Sequence, residues 1–357
     1  MRVCVALDPM KKRGAPVVTP TSLYRRSFLA LPLALMACKP GDSVFEIAGV
    51  TMGTTYTVVA QDPSGRLSEG EIRAAIARAL DTVNAEMSNW DPASEISRFN
   101  AGTDAPTPVS GALDTVMAAA ETVHRASEGR FDTTIGPLIE LWGFGAPGAG
   151  DMPAAAAVEA ALARSGHANT LEIGQGVLRK TQPGTQVYLA AIGKGHGADR
   201  GGAALETLGI RDYLVEIGGD LYAAGRNPDG LPWQIGIETP SASERGVMGV
   251  VGVSGLGLAS SGDYRNYFEE DGQRYPHVID PTTGRPLQHK TASAAVLAAS
   301  AMLADAWATA MLTLGREHGL AVAEREGIAV LFVERDHAAP TLGFKTVESS
   351  RFKALTA

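Results

Sequence analysis

The chain has 357 residues, 45% of them hydrophobic, with 31 Lys and Arg against 39 Asp and Glu for a formal net charge of −8. This is long and apolar enough for a large folded core, while the acidic balance and the lack of any basic stripe interleaved with aromatics argue against a nucleic-acid partner.

The first segment reads as an address. Tyr24-Arg25-Arg26-Ser27-Phe28-Leu29 runs into an apolar stretch ending Leu35-Met36-Ala37-Cys38. A twin arginine before a run too short to span a bilayer predicts a twin-arginine export signal over residues 1–37. Leu35 to Cys38 also fits a lipobox, so a lipid anchor at Cys38 and a periplasmic, membrane-attached protein are expected; Met10, ahead of a basic stretch, offers a later start. The leader carries six Arg and Lys and one Asp, a net of +5, so its removal takes the charge from −8 to −13. It also takes Cys4, which leaves Cys38 as the one cysteine and no internal disulfide.

Residues 38–43 read as a tether and 44–357 as the folded domain. Strands are predicted at 44–50 and 54–60, joined at Thr51-Met52-Gly53. Ser68 and Glu71 form a capping box, and Ile72, Ile76, Leu80, Val83 and Met87 recur at helical spacing. A second helix runs from Ser110 to Ser127 with Gly129 as its stop, Gly145 to Gly150 is a flexible break, and 153–164 is an alanine-rich helix. Short strands follow at 170–173, 177–181, 213–217, 233–238 and 247–253. A strand at 294–298, the helix carrying Asp305, another helix at 317–326 and a strand at 328–334 close the chain. This irregular order predicts an α+β fold with mixed sheets and packed helices, not a doubly wound sheet.

The chemistry concentrates near the end. Met302, Leu303, Ala306, Trp307, Ala310, Met311 and Leu314 make the helix apolar almost all round, so Asp305 sits where a carboxylate needs donors, a cation or a metal. Thr309, one turn on, shares its face. The structural alternative is that Asp305 caps a neighbouring loop and Thr309 bonds back to its own helix. Upstream, His277-Val278-Ile279-Asp280-Pro281 places an imidazole in a turn-rich loop, and Asp280 is expected to shape the Asp-Pro turn. A hard-cation site beside a proton acceptor suggests phosphate chemistry.

Six separated segments carry a resemblance. They are Thr51-Met52-Gly53-Thr54; Met87 to Asp91 with Ser97-Arg98-Phe99-Asn100; Gly129-Arg130-Phe131-Asp132 running to Gly145; Ile192-Gly193-Lys194-Gly195; Glu216-Ile217-Gly218-Gly219-Asp220; and Ser260 to Tyr267 leading through the His277 loop to Thr309. In order and spacing they resemble the ApbE family of FAD:protein FMN transferases over nearly all of the mature chain. The resemblance implies an ApbE-like fold of two intimate subdomains. It implies an enzyme that cleaves FAD, releases AMP and leaves FMN on a Thr or Ser hydroxyl of a target protein, here an exported respiratory one. It further implies Mg²⁺ held by the Ala191 carbonyl, Asp305 and Thr309, with His277 as general base. Flavin contacts fall at Met52, Trp90, Arg130, Phe131, Asp132, Lys194 and Ile279. Where the family usually carries an aspartate contact this chain has Tyr188, for which altered FAD binding is expected. Two other outcomes stay open: an FAD diphosphatase giving FMN and AMP, and a catalytically weak FAD-binding lipoprotein.

Overall fold

A computed structural model describes residues 43–145, 152–241, 246–336 and 343–357. The export signal, Cys38 and most of the Gly145 to Gly150 break lie outside the described residues.

The centre is one eight-stranded sheet whose spatial order follows chain order: Ser43–Thr51, Thr54–Asp62, Asp212–Ile217, Asp220–Ala224, Leu256–Gly262, Thr291–Ala298, Ala329–Asp336 and Gly343–Glu348. Every neighbouring pair is antiparallel, so the fold is α+β as expected, with an antiparallel central sheet in place of a mixed one. Helices and small ribbons are insertions between its strands. Two of its hairpins close through two-residue turns in which both residues have positive φ, Met52 and Gly53 at 49° and 72°, and Gly218 and Gly219 at 57° and 100°. Such turns match strand twist.

Side-chain alternation divides the sheet into two buried faces. Ala294, Val296, Val330 and Phe332 face a core built with the helices Gly111–Ala126 and Ala301–Glu326. Ala295, Leu297, Leu331 and Val333 face the ribbon Trp233–Glu238 and Val247–Val253, together with Phe352 of the terminal helix. At the other end of the sheet, Ile47, Val58, Val215 and Ile217 cover the helix Glu69–Met87 through Ile72, Ile76 and Leu80. That helix starts at the predicted capping box: Glu71 N–H donates to Ser68 Oγ at 3.3 Å, and Ser68 N–H to Glu71 Oε2 at 2.8 Å. Among the described residues no helix is long and apolar enough to cross a membrane.

The helix Gly193–Thr207 carries no apolar periodicity of its own, and its glycines depress helix propensity. It forms because those glycines let it pack closely. A Cβ on Gly195 would lie 2.1 Å from the Ala301 carbonyl oxygen, and one on Gly201 would lie 2.9 Å from Val215. The two helices expected at the Asp305 segment and at 317–326 are one run, Ala301–Glu326, broken at Gly315, whose φ of 71° is not helical. The alanine-rich helix is Ala155–Leu162, shorter than 153–164. The short helices Glu95–Ala101 and Gly136–Leu141 were not anticipated.

Candidate active site

The close contact of Gly195 with Ala301 brings the N-terminus of Gly193–Thr207 against Asp305. Asp305 is 3% exposed, and its Oδ2 accepts from the Gly195 N–H at 3.1 Å. Lys194 Nζ lies 3.5 Å from both Asp305 oxygens and 2.6 Å from Asp220 Oδ2. The Gly218-Gly219 turn delivers Asp220, and a Cβ at Gly218 would meet Thr54 at 2.8 Å and Lys194 Cδ at 3.4 Å. One ammonium therefore stands between two buried carboxylates.

This crowding sets the charges. Burial, with Asp220 alongside, pushes Asp305 up to about 7, against the opposing pull of Lys194 and the Gly195 amide. Burial alone would lower Lys194, but Asp220 and Asp305 outweigh it and hold the ammonium firmly protonated. Glu216, at the start of the same turn, is pushed up to about 7 by burial, and Asp220 adds to the rise. Its Oε1 accepts from Gly219 N–H at 2.5 Å.

Thr309 does not bond back to its own helix. Its Oγ1 meets Ser261 Oγ at 3.0 Å across the interface with the strand Leu256–Gly262, and its carbonyl accepts from Thr313. Asp305 accepts from the start of a neighbouring helix, where the structural alternative had it capping a loop, and it also faces a cation. Ala191 lies in the turn just before Gly193–Thr207, and the neighbouring Ala190 carbonyl accepts from Lys194 at 3.3 Å. Among the described residues no three His, Cys, Asp or Glu side chains converge as a metal centre. A carboxylate with a hydroxyl one turn away nevertheless fits Mg²⁺, which takes one or two protein carboxylates and completes its shell with phosphate oxygens and water.

His277 is held by its own loop. Nδ1 lies 3.1 Å from the Asn266 carbonyl oxygen, and the His277 N–H donates to the same oxygen at 2.9 Å. A carbonyl can only accept, so Nδ1 carries the proton and Nε2 is left with its lone pair. Burial lowers the pKa of His277; Lys194 lowers it further, while the Asn266 carbonyl and Asp263 work the other way. The imidazole is thus neutral at pH 7 and within the electrostatic reach of Lys194.

A second group gathers beside His277. Trp90, 58% exposed, meets Tyr188 edge-on at 5.6 Å between ring centroids. Tyr188 and Phe144 both pack against the cluster that holds Trp142 and the buried Ile279, and Phe144 lies 6.4 Å edge-on from His277. Burial and nearby Glu140 push the Tyr188 phenol up to about 12, so it offers a hydroxyl donor where a carboxylate would accept. Arg130 Nη1 pairs with Asp280 Oδ2 at 2.8 Å, and Asp280 also holds the turn by accepting from Thr282 N–H and Oγ1.

Phe131 and Asp132 sit behind this surface. Phe131 is 1% exposed and part of the helical core. Asp132 Oδ1 accepts from Thr134 N–H and Oγ1, and Oδ2 from His167 N–H, which commits the carboxylate to tying its own loop to the start of the helix His167–Thr170. Met52 packs against Gly197 and lines, with Val50, Gly53 and Thr55, a cavity of about 390 Å³. Thr54 borders both this cavity and the Gly218 turn.

Two members of the cluster, Asp220 and Ser261, had no role in the sequence reading. Both stand inside the quoted motif segments, and a second carboxylate next to Gly218-Gly219 was the signal available for Asp220.

The fold and site define an α+β protein with an oxygen-rich, lysine-bridged site whose carboxylates and hydroxyl suit a hard cation. The ApbE family model matches residues 52–332, and the chain belongs to that family. It is 41% identical over 337 residues to the FAD:protein FMN transferase of Haemophilus influenzae, covering 92% of this chain and 96% of that one. It is 42% identical over 328 residues to the FAD:protein FMN transferase of Vibrio cholerae, covering 91% and 96%. Among solved structures, the flavin transferase ApbE from Vibrio cholerae superposes with a TM-score of 0.81 at 39% identity over 88% of this chain and 99% of that one. The apo flavinyl transferase ApbE of Pseudomonas stutzeri gives 0.80 at 37% over 88% and 97%.

Proposed function

We propose that this chain transfers FMN from FAD to a Thr or Ser hydroxyl of a target protein and releases AMP, with Mg²⁺ at Asp305, Thr309 and the Ala191 carbonyl. The observation that carries the reading is the buried Asp220–Lys194–Asp305 bridge, whose ammonium acts electrostatically on His277. When bound, the ion would neutralise the diphosphate of FAD. Lys194 places a fixed positive charge beside the same group, and Asp220 and Asp305 hold that ammonium in position. Ser261 orients the Thr309 hydroxyl.

His277 Nε2 takes the proton of the acceptor hydroxyl as its oxygen attacks the FMN phosphorus. The bond from that phosphorus to the bridging oxygen breaks, and the oxygen leaves with AMP. Trp90 and Tyr188 offer faces and edges for a flat heterocycle, and Met52 a polarizable contact. Phe131 and Asp132 support this surface from behind through the core and the Thr134 loop. The twin-arginine segment and Cys38 favour action outside the cytoplasm, on an exported respiratory protein, from a lipid-anchored position. Fractionation and intact mass of the native protein test that location.

The test of function incubates the purified protein with FAD and Mg²⁺, with and without a target domain bearing an acceptor threonine. A target mass gain of one FMN together with AMP release is expected. FMN and AMP without an adduct would make the protein a diphosphatase, and bound but uncleaved FAD would make it a flavin binder.

A further inference from the structure

A second cavity of about 390 Å³ is lined by no member of the Asp305 cluster. Pro276, the neighbour of His277, stands on its rim. Its walls carry Arg274 from the ribbon Tyr267–Glu270 and Gln273–Pro276, His289 and Lys290 from the loop before Thr291–Ala298, and Arg335 with Asp263. Three cationic side chains thus face one carboxylate, on a protein whose overall charge is −8.

The one carboxylate is engaged. Arg335 binds Asp263 through two nitrogens, at 2.8 and 2.5 Å. Arg274 lies over the Tyr267 ring at 4.1 Å and meets only the largely exposed Glu269, at 3.6 Å, a surface pair of little strength. Lys290 is exposed.

His289 supplies the independent observation. Both of its ring nitrogens are buried with no hydrogen-bond partner, an unfavourable condition that ordinarily marks a missing ligand or water. The fold makes room for this ring: Gly315 interrupts the long helix opposite it, and a Cβ there would lie 3.2 Å from the imidazole. No Phe, Tyr or Trp lines the cavity, so it lacks the flat faces that hold a base and suits the anionic group alone.

We propose that this cavity is an oxyanion-binding subsite, separate from the Asp305 cluster, in which His289, Lys290 and Arg274 take the phosphate of a small molecule or the carboxylate of a polypeptide. The assignment does not depend on the transferase reading, because the ligand binds there whether or not FAD is cleaved.

The purified protein, labelled with ¹⁵N-histidine and free of FAD, is titrated separately with inorganic phosphate, AMP, a capped peptide containing one glutamate and the same peptide with glutamine. The His289 signals are assigned by their loss in His289→Gln. Saturable movement of those signals is expected with at least one anion and not with the glutamine peptide, and Lys290→Glu should weaken that affinity at least tenfold. Because Lys290 is exposed, the variant should keep the wild-type melting temperature. Tighter binding of phosphate or AMP identifies a small-molecule phosphate, and tighter binding of the glutamate peptide a polypeptide carboxylate. No response of His289 to any of the three anions, or equal affinity in Lys290→Glu, overturns the proposal.

Discussion

Asp305→Asn keeps the shape of a side chain that is 3% exposed and removes its charge. In the wild type, burial and Asp220 raise Asp305 from 3.8 to about 7. At about 1.4 kcal/mol per pH unit, that rise corresponds to roughly 4 kcal/mol against the ionised form. The folded protein therefore keeps a proton that the unfolded chain has released. The stabilisation this gives is complete below about pH 4 and lost as pH rises through about 7. Lys194 and the Gly195 amide favour the anion and lose part of their partner in the amide variant. The net gain of Asp305→Asn over wild type in EDTA should thus be on the order of 1–3 kcal/mol at pH 8, shrinking towards pH 5. Magnesium should offset most or all of that gain at pH 8 and put the wild type ahead at pH 5, since a ligand at a hundredfold excess over its Kd adds about 2.7 kcal/mol to the protein that binds it. Urea unfolding at both pH values, in EDTA and in MgCl₂, measures all four combinations. An equal magnesium effect in both proteins, or an Asn variant less stable than wild type at pH 8 in EDTA, would refute the argument.

His277→Gln should slow FMN transfer by roughly 10²- to 10⁴-fold while FAD still binds. Because burial and Lys194 lower its pKa, the acid limb of the wild-type rate profile should fall below about pH 6.5; a limb above pH 7 in an AMP-release assay contradicts its role as base. Phe131→Ala should cost about 3–5 kcal/mol in urea unfolding, and a variant of normal stability with impaired FAD affinity would place the ring at the flavin instead. Burial keeps His167 below its ordinary pKa, so the unfolded chain binds the proton first: its contribution is intact above about pH 6.5 and lost as pH falls towards the lowered value. His167→Gln should flatten the stability curve in that range, and unchanged slopes would exclude this histidine as the cause.

The strands around Met52 and the helix Glu69–Met87 were legible because alternation, helical spacing and a capping box are local signals. Gly193–Thr207 was not, since its stability comes from contacts with Ala301, Val215 and Tyr213 that the sequence does not bring together. The strand Leu256–Gly262 lacks β-branched residues and forms because Asp220–Ala224 and Thr291–Ala298 pair with its edges. In the site, Asp305 and Thr309 could be paired by their four-residue spacing. Their partners could not, because Lys194 and Ser261 reach them from 111 and 48 residues away. Phe131 and Asp132 show the converse limit: a motif marks a segment as belonging to a site without saying which of its side chains face outward.

The charge of the cluster leads to one more expectation. Two buried carboxylates and one ammonium leave Asp220, Lys194 and Asp305 with a net −1 when all are ionised, and the diphosphate of FAD is itself anionic. Lysine alone would leave like charges facing each other at low dielectric, where repulsion is strong. A divalent ion changes the sign of the sum and turns repulsion into attraction. FAD affinity, followed by flavin fluorescence, should therefore rise at least tenfold on adding millimolar Mg²⁺ and much less on adding NaCl of equal ionic strength, because screening acts weakly on a buried cluster. Asp220→Asn should reduce the dependence, since with one carboxylate gone the cluster is already neutral. Equal FAD affinity in EDTA and in Mg²⁺ would mean that Lys194 alone holds the diphosphate.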